Sequence, residues 1–255
     1  VLWAIRDRGG QDRPGKPQNA LYAYKVVDGR VEQVVDGATF KAVTMPVPAR
    51  DWEDIGRDDE GNLWIADIGN NECDRGDTAL LKVREPDLAA TGQAELLATY
   101  RYRFPDPAAG CAGRNAEAMF LFENVPYLID KTERSTVYRF PKLDPEAAVT
   151  LEKVGAMAGE VANLSGADLS TDKRRLAVDT HTTLFVYQAA DPSLRGEAFV
   201  ADLISRPPTW TVRLGGQGDG PTNVEGVAFG YGSHDLNLLA ENRNVYFIPA
   251  AGYER

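Results

Sequence analysis

The chain has 255 residues, with 28 Lys and Arg against 38 Asp and Glu, two His, two Cys and a formal net charge of −10 at pH 7. That length holds one large all-β domain or two small ones, and it can bury a core without staples. The acidic balance excludes the basic footprint of a nucleic-acid partner, and no apolar run reaches the roughly 18 residues that a spanning helix needs.

Leu2-Trp3-Ala4-Ile5-Arg6-Asp7 reads as a strand, followed by a polar loop from Gly9 to Asn19 and a second strand, Leu21-Tyr22-Ala23-Tyr24. Asp28-Gly29 marks a hairpin turn, and Pro46 to Arg50 leads into the stretch that organises the chain. There Trp52-Glu53-Asp54-Ile55 forms a strand that a carboxylate opens. Asp59-Glu60-Gly61-Asn62 supplies residues that tolerate positive φ in a tight turn. Leu63 to Ala66 is a buried strand that Asp67 closes. Leu80 to Val83 gives a third strand, and Leu96 to Phe104 alternates apolar and basic residues like an outer strand with one wet face.

The same unit returns three times. Asn115-Ala116-Glu117-Ala118 leads through Glu123-Asn124 to Tyr127 to Lys131 and then Val137 to Phe140, with Val149 to Met157 as its outer strand. Leu143 to Thr150 has room for a helical turn, although it contains Pro145. Ser165-Gly166-Ala167-Asp168 leads through Thr171 to Lys173 to Leu176 to Asp179 and Leu184 to Tyr187. A short helix over Asp191 to Asp202 and an outer strand over Thr209 to Leu214 follow. Asn223-Val224-Glu225-Gly226 leads through a turn near Gly232 to Leu238 to Glu241 and Val245 to Ile248. The glycine-rich loop from Gly215 to Pro221 precedes no helix and is not a phosphate cradle.

Repetition at this spacing, with several short strands per unit, predicts a β-propeller, because a unit that cannot bury its own faces must stack on neighbours around an axis. The repeats run without a linker over residues 1–255, so a single all-β domain of five blades is expected, or six if terminal segments lie outside the sequence. The opening residues match the second and third strands of a blade. The first strand of blade one is therefore expected before Val1.

Glu53, Glu117, Asp168 and Glu225 hold matching places at the start of the strand that lines the channel. The loops after each second strand bring Arg6, Asp67, Asp130, Lys131, Asp179, His181 and Glu241 to the same mouth. Several carboxylates at close quarters raise each other's pKa unless a cation or a basic group compensates. Three outcomes follow: a hard cation such as Ca²⁺ held by Glu53, Glu117, Asp168 and Glu225; a retained proton serving acid catalysis; or ion pairs to Arg6, Lys131 and Arg243. A fourth reading makes these residues strand-end caps. Glu117, Asp168, Lys131 and His181 are the candidate catalytic groups, with Arg6, Asp67, Asp130, Asp179 and Glu241 as ligand contacts. Trp52 packs between blades or stacks on a ligand. His234 falls in a turn at the opposite face.

Cys73 and Cys111 lie in loops that a four-stranded blade brings to one face, so a bridge is expected, and with it an oxidising compartment. Two cysteines and two histidines in no ligand spacing exclude a zinc site.

Asp51-Trp52-Glu53-Asp54-Ile55, Ala66-Asp67-Ile68-Gly69-Asn70-Asn71, Asn115-Ala116-Glu117-Ala118-Met119, Ser165-Gly166-Ala167-Asp168-Leu169-Ser170 and Val224-Glu225-Gly226-Val227-Ala228 together resemble exported bacterial propeller proteins of mostly unassigned function. Where that group more often has His-Asn-Asp-Ser-Gly, this chain has Ile5-Arg6-Asp7-Arg8-Gly9. Glu225 to Phe229 is also similar to the esterase-like phytase and regucalcin/paraoxonase-type propellers, the latter holding calcium in the channel through blade carboxylates. The resemblance implies a periplasmic or secreted protein whose funnel binds a small polar ligand or glycan, through calcium, and hydrolyses an ester, phosphoester or glycoside. The alternatives are a non-catalytic recognition module with a protein partner and a structural subunit of an envelope assembly.

Overall fold

Short β-favouring runs between turn residues fold, among the described residues, as 22 strands and one α-helix. The computed structural model describes residues 1–6, 18–27, 30–36, 39–89, 92–106, 115–214, 223–240 and 245–254. Five small sheets stand in a ring and make a five-bladed β-propeller.

Blade one consists of β1 (Leu2–Ala4), β2 (Ala20–Val27) and a third position shared by β3 (Arg30–Gln33) and β6 (Ala42–Thr44). The hairpin of β4 (Val35–Asp36) and β5 (Thr39–Phe40) separates those two halves. Blade two runs outward from the axis as β7 (Trp52–Arg57), β8 (Asn62–Asp67), β9 (Ala79–Arg84) and β10 (Leu96–Arg103). Blade three has β11 (Ala116–Phe122), β12 (Val125–Asp130) and β13 (Thr136–Arg139). Residues 143–150, where a helical turn had room, instead pass through bends into β14 (Val149–Thr150). The predicted outer strand over Val149 to Met157 is divided. β14 pairs in parallel with β10 of blade two, and only β15 (Glu152–Ala156) pairs with β13.

Blade four comprises β16 (Gly166–Leu169), β17 (Arg175–Thr180), β18 (Thr183–Gln188) and β19 (Trp210–Arg213), with α1 (Gly196–Ile204) inserted before the last. The helix begins beyond the expected Asp191, because Phe199, Val200, Leu203 and Ile204 present the apolar face that docks on the sheet. Blade five shows β20 (Val224–Phe229), β21 (Leu236–Ala240) and β22 (Val245–Ile248).

Turn chemistry sets the registers. Glu123 and Asn124 both take positive φ between β11 and β12, as a two-residue hairpin turn requires. Between β7 and β8, Gly61 has φ +84, and Asp58 accepts from the Asn62 amide at 2.7 Å and from Trp64 Nε1 at 2.9 Å.

Apolar side chains pack blade against blade. Trp52 and Met45 belong to a cluster between blades one and two, Trp64 and Phe140 to one between blades two and three. Phe120, Tyr187 and Phe199 fill the next interface, and Leu184 with Val224 the one after it. No such cluster lies between blades five and one among the described residues. Trp52 is wholly buried between the blades.

Candidate functional site

In an antiparallel pair the start of an inner strand faces the end of its neighbour, so one mouth of the channel collects both. Trp52 pairs with Asp67, Ala116 with Asp130 and Gly166 with Asp179. At that height β7, β11 and β20 each carry a register shift, and the residues skipped are Glu53, Glu117 and Glu225. A β-bulge bends the strand and re-aims the extra side chain, so three blades deliver a glutamate at the same place.

Asp168 does not complete that ring. β16 keeps an unbroken register, and Asp168 sits opposite Ala177, two steps below Asp179. The expected ring of four carboxylates is corrected to three, because Gly166-Ala167-Asp168 lacks the inserted residue that makes the bulge. Asp168 Oδ2 accepts from the Phe229 amide of blade five at 2.8 Å. Asp54 works at a similar depth, its Oδ2 accepting from the amides of Met119 at 2.7 Å and Ala167 at 3.1 Å. One carboxylate thus ties blade two to blades three and four. Burial pushes Asp168 up to about 7, against the pull of the Phe229 and Leu169 amides. It raises Asp54 well above the usual carboxylate range.

At the mouth itself the carboxylates have unequal company. Glu117 Oε1 contacts Lys131 Nζ and accepts from Asn115 Nδ2 at 3.2 Å. Asn115 also links Asn71 Oδ1 at 3.0 Å and the Asn70 amide at 2.7 Å. His181 Nδ1 lies 3.1 Å from Glu225 Oε1. Asp67 Oδ1 accepts from the Asp51 amide and from Arg75 Nη2, the latter at 2.8 Å. Burial nevertheless raises Asp67, with Arg75 pulling the other way. Gly69 is needed here, since a Cβ on it would collide with Glu53 Oε1 and lie 2.5 Å from Asp51 Oδ2. Those two carboxylates converge over the glycine.

Asp130 turns inward to its own blade. Its Oδ1 accepts from Thr132 Oγ1 at 2.6 Å and the Thr136 amide at 2.8 Å, and its Oδ2 from the Tyr138 hydroxyl. That is the work of a strand-end cap. Asp179 differs: it is fully buried, and among the described residues neither carboxylate oxygen has a hydrogen-bond partner. It lies over Gly166, close to Gly226 of blade five. Burial first, then Asp54 and Glu225, push its pKa well above the ordinary value.

Arg6 is half-buried just beyond β1. Glu241, Arg243 and Asp7 lie outside the described residues, as does Cys111 and with it the expected Cys73–Cys111 pairing. Among the described residues no three His, Cys, Asp or Glu side chains are grouped so as to hold a metal ion.

Sequence reasoning missed Arg75, which stands in no motif, and Asp54. The signal for Asp54 was a lone carboxylate where the aligned blades have Ala118, Ala167 and Gly226. His234, expected only as a turn residue at the opposite face, sits 2.5 Å from Glu254 Oε1 and 3.1 Å from Asp172 Oδ2, beside Arg175. That network secures the segment after β22 to blade four.

No protein family and no curated protein sequence matches the chain. Solved structures match it at low identity. A chain of the mitotic checkpoint complex matches at 12% identity and a TM-score of 0.42, over 92% of this chain and 56% of that one. Virginiamycin B lyase from Staphylococcus aureus matches at 9% and 0.38, over 97% and 68%. The Dos1 propeller matches at 12% and 0.40, over 94% and 55%. The chain spans little more than half the length of the first and third of these. The class that the sheets define is the five-bladed β-propeller.

Proposed function

We propose that the protein binds a small polar ligand carrying positive charge at the mouth where Glu53, Glu117 and Glu225 emerge. The observation that carries this reading is the matched bulge in three blades, each aiming a glutamate at the same end of the channel. Asp51 and Asp67 add carboxylates nearby, against Arg75 and Lys131, so the mouth favours an ammonium or guanidinium group over an anion.

Melting curves with spermidine, arginine amide, glucose and calcium chloride test it. A saturable rise with the cationic probes, diminished in Glu117→Gln and Glu225→Gln, is expected from preferential binding to the folded chain. No rise with either cation overturns the reading, and a rise with calcium alone replaces it with the metal site.

A hydrolytic reading rests on Asp179, a carboxyl beside the mouth whose hold on its proton burial strengthens, as a general acid requires. Turnover of an ester, phosphoester or glycoside that falls about 100-fold or more in Asp179→Asn would establish it. A Cys73–Cys111 bridge and an exported location belong to the same proposal. Among the described residues no cysteine is free, and intact mass under non-reducing conditions checks the bridge.

A further inference from the structure

The glutamates at the mouth differ in company, and the one in blade three is built into the end of its hairpin. Lys131 follows β12, and its amide donates to Asn115 O at 2.9 Å, beside the start of β11. Asn115 is fixed from blade two in turn, since its Oδ1 accepts from the Asn70 amide and its Nδ2 donates to Asn71 Oδ1. Asn115 Nδ2 and Lys131 Nζ both reach one oxygen of Glu117, Oε1. Among the described residues the other oxygen, Oε2, accepts nothing, and it is not cut off from solvent. An ammonium has three donors. Glu117 engages one of those on Lys131, whose side chain is 27% exposed. Arg75 on blade two is more fully committed: Nε donates to Asp77, Nη1 to Gly69 O and Nη2 to Asp67.

One uncommitted carboxylate oxygen therefore stands beside uncommitted ammonium donors, in a frame that the protein has already fixed. We propose that this pair receives the head of a free α-amino acid, its ammonium on Glu117 Oε2 and its carboxylate on Lys131 Nζ. Such a head carries a cationic donor and an anionic acceptor on one carbon, and so meets both halves through charge-assisted bonds. A polyamine or a simple carboxylate satisfies only one half. The fixed frame lowers the cost of ordering these side chains on binding. The inference rests on the reading above and narrows it, with Glu53 and Glu225 taking the positive charge of the side chain. The ligand class is thus a free amino acid with a basic side chain.

Isothermal titration of the 255-residue chain compares arginine with arginine amide, which lacks the carboxylate, and with N-acetylarginine, which lacks the α-ammonium. It is run at about pH 6 to keep every α-ammonium charged. Each altered ligand should bind about ten-fold or more weakly than arginine. Lys131→Met should erase the advantage over the amide, and Glu117→Gln should narrow the advantage over N-acetylarginine. The comparison within the parent chain needs no variant, so a misfolded variant cannot mask the result. Equal affinity for arginine and its amide in the parent overturns the inference while leaving the cation reading in place. A preference for arginine that persists in folded Lys131→Met puts the carboxylate elsewhere and overturns it too. Binding of none of the three overturns both.

Discussion

Asp130 and Asp179 end the same strand of adjacent blades, yet they live differently. Each stands at the place where the second strand meets the start of the first, and each is buried. Asp130 is met by Thr132, Thr136 and Tyr138 from its own blade, whereas among the described residues Asp179 is met by no donor. Asp67 is intermediate, with an arginine and one amide. The repeat supplies the carboxylate, and the loop after it decides whether that carboxylate is structural. In blade three the loop brings Thr132 and Thr136. In blade four the corresponding hairpin is closed by Thr180 and Thr183, which bond each other, so Asp179 is left to burial and to its acidic neighbours.

The largest effect should come from breaking the satisfied member. Asp130→Ala leaves the buried Thr136 amide and other donors without an acceptor, and urea unfolding should show a loss of about 2–4 kcal/mol. The second test is pH. Asp168 is pushed up to about 7 and Asp179 higher than the ordinary range, so the folded state keeps protons that the unfolded chain releases near 4. The stability linked to those protons is complete below the unfolded value. It is lost as pH rises, through about 7 for Asp168. The slope reaches at most about 1.4 kcal/mol per pH unit for each group. Asp168→Asn should flatten the fall up to neutrality, and Asp179→Asn should flatten it further, both read from melting temperature against pH. Arg75→Met removes the charge partner of Asp67 and should cost about 1–2 kcal/mol in urea. The smallest change belongs to Asp179→Ala. No donor is orphaned by it, so stability at pH 7 should stay within about 1 kcal/mol of the parent.

The propeller itself was legible, because four copies of strand, turn and closing carboxylate recur from Trp52 to Glu241 and only a ring buries their faces. The matched strand position of Glu53, Glu117 and Glu225 was legible. That of Asp168 was not, since a bulge is one residue of slack in pairing, and spacing alone does not show whether Ser165-Gly166 absorbs it. Arg75 and the Thr132–Thr136 cap were out of reach for a different reason. Their roles depend on how loops fold back, and loops carry no periodicity. The division of Val149 to Met157 between two sheets hid itself in a run that looks like one strand.

That division has a consequence for anyone who would cut or rearrange the chain. β14 comes after the third strand of blade three but completes the rim of blade two, where Tyr102 pairs with Val149 and the Leu151 amide bonds Arg103 O at 2.9 Å. The sequence repeat and the physical module are therefore offset. A fragment ending before Val149 would hold every strand assigned to blade two by repeat and still expose the margin of β10. A grafted or permuted blade keeps its margin covered only when the break falls after Leu151.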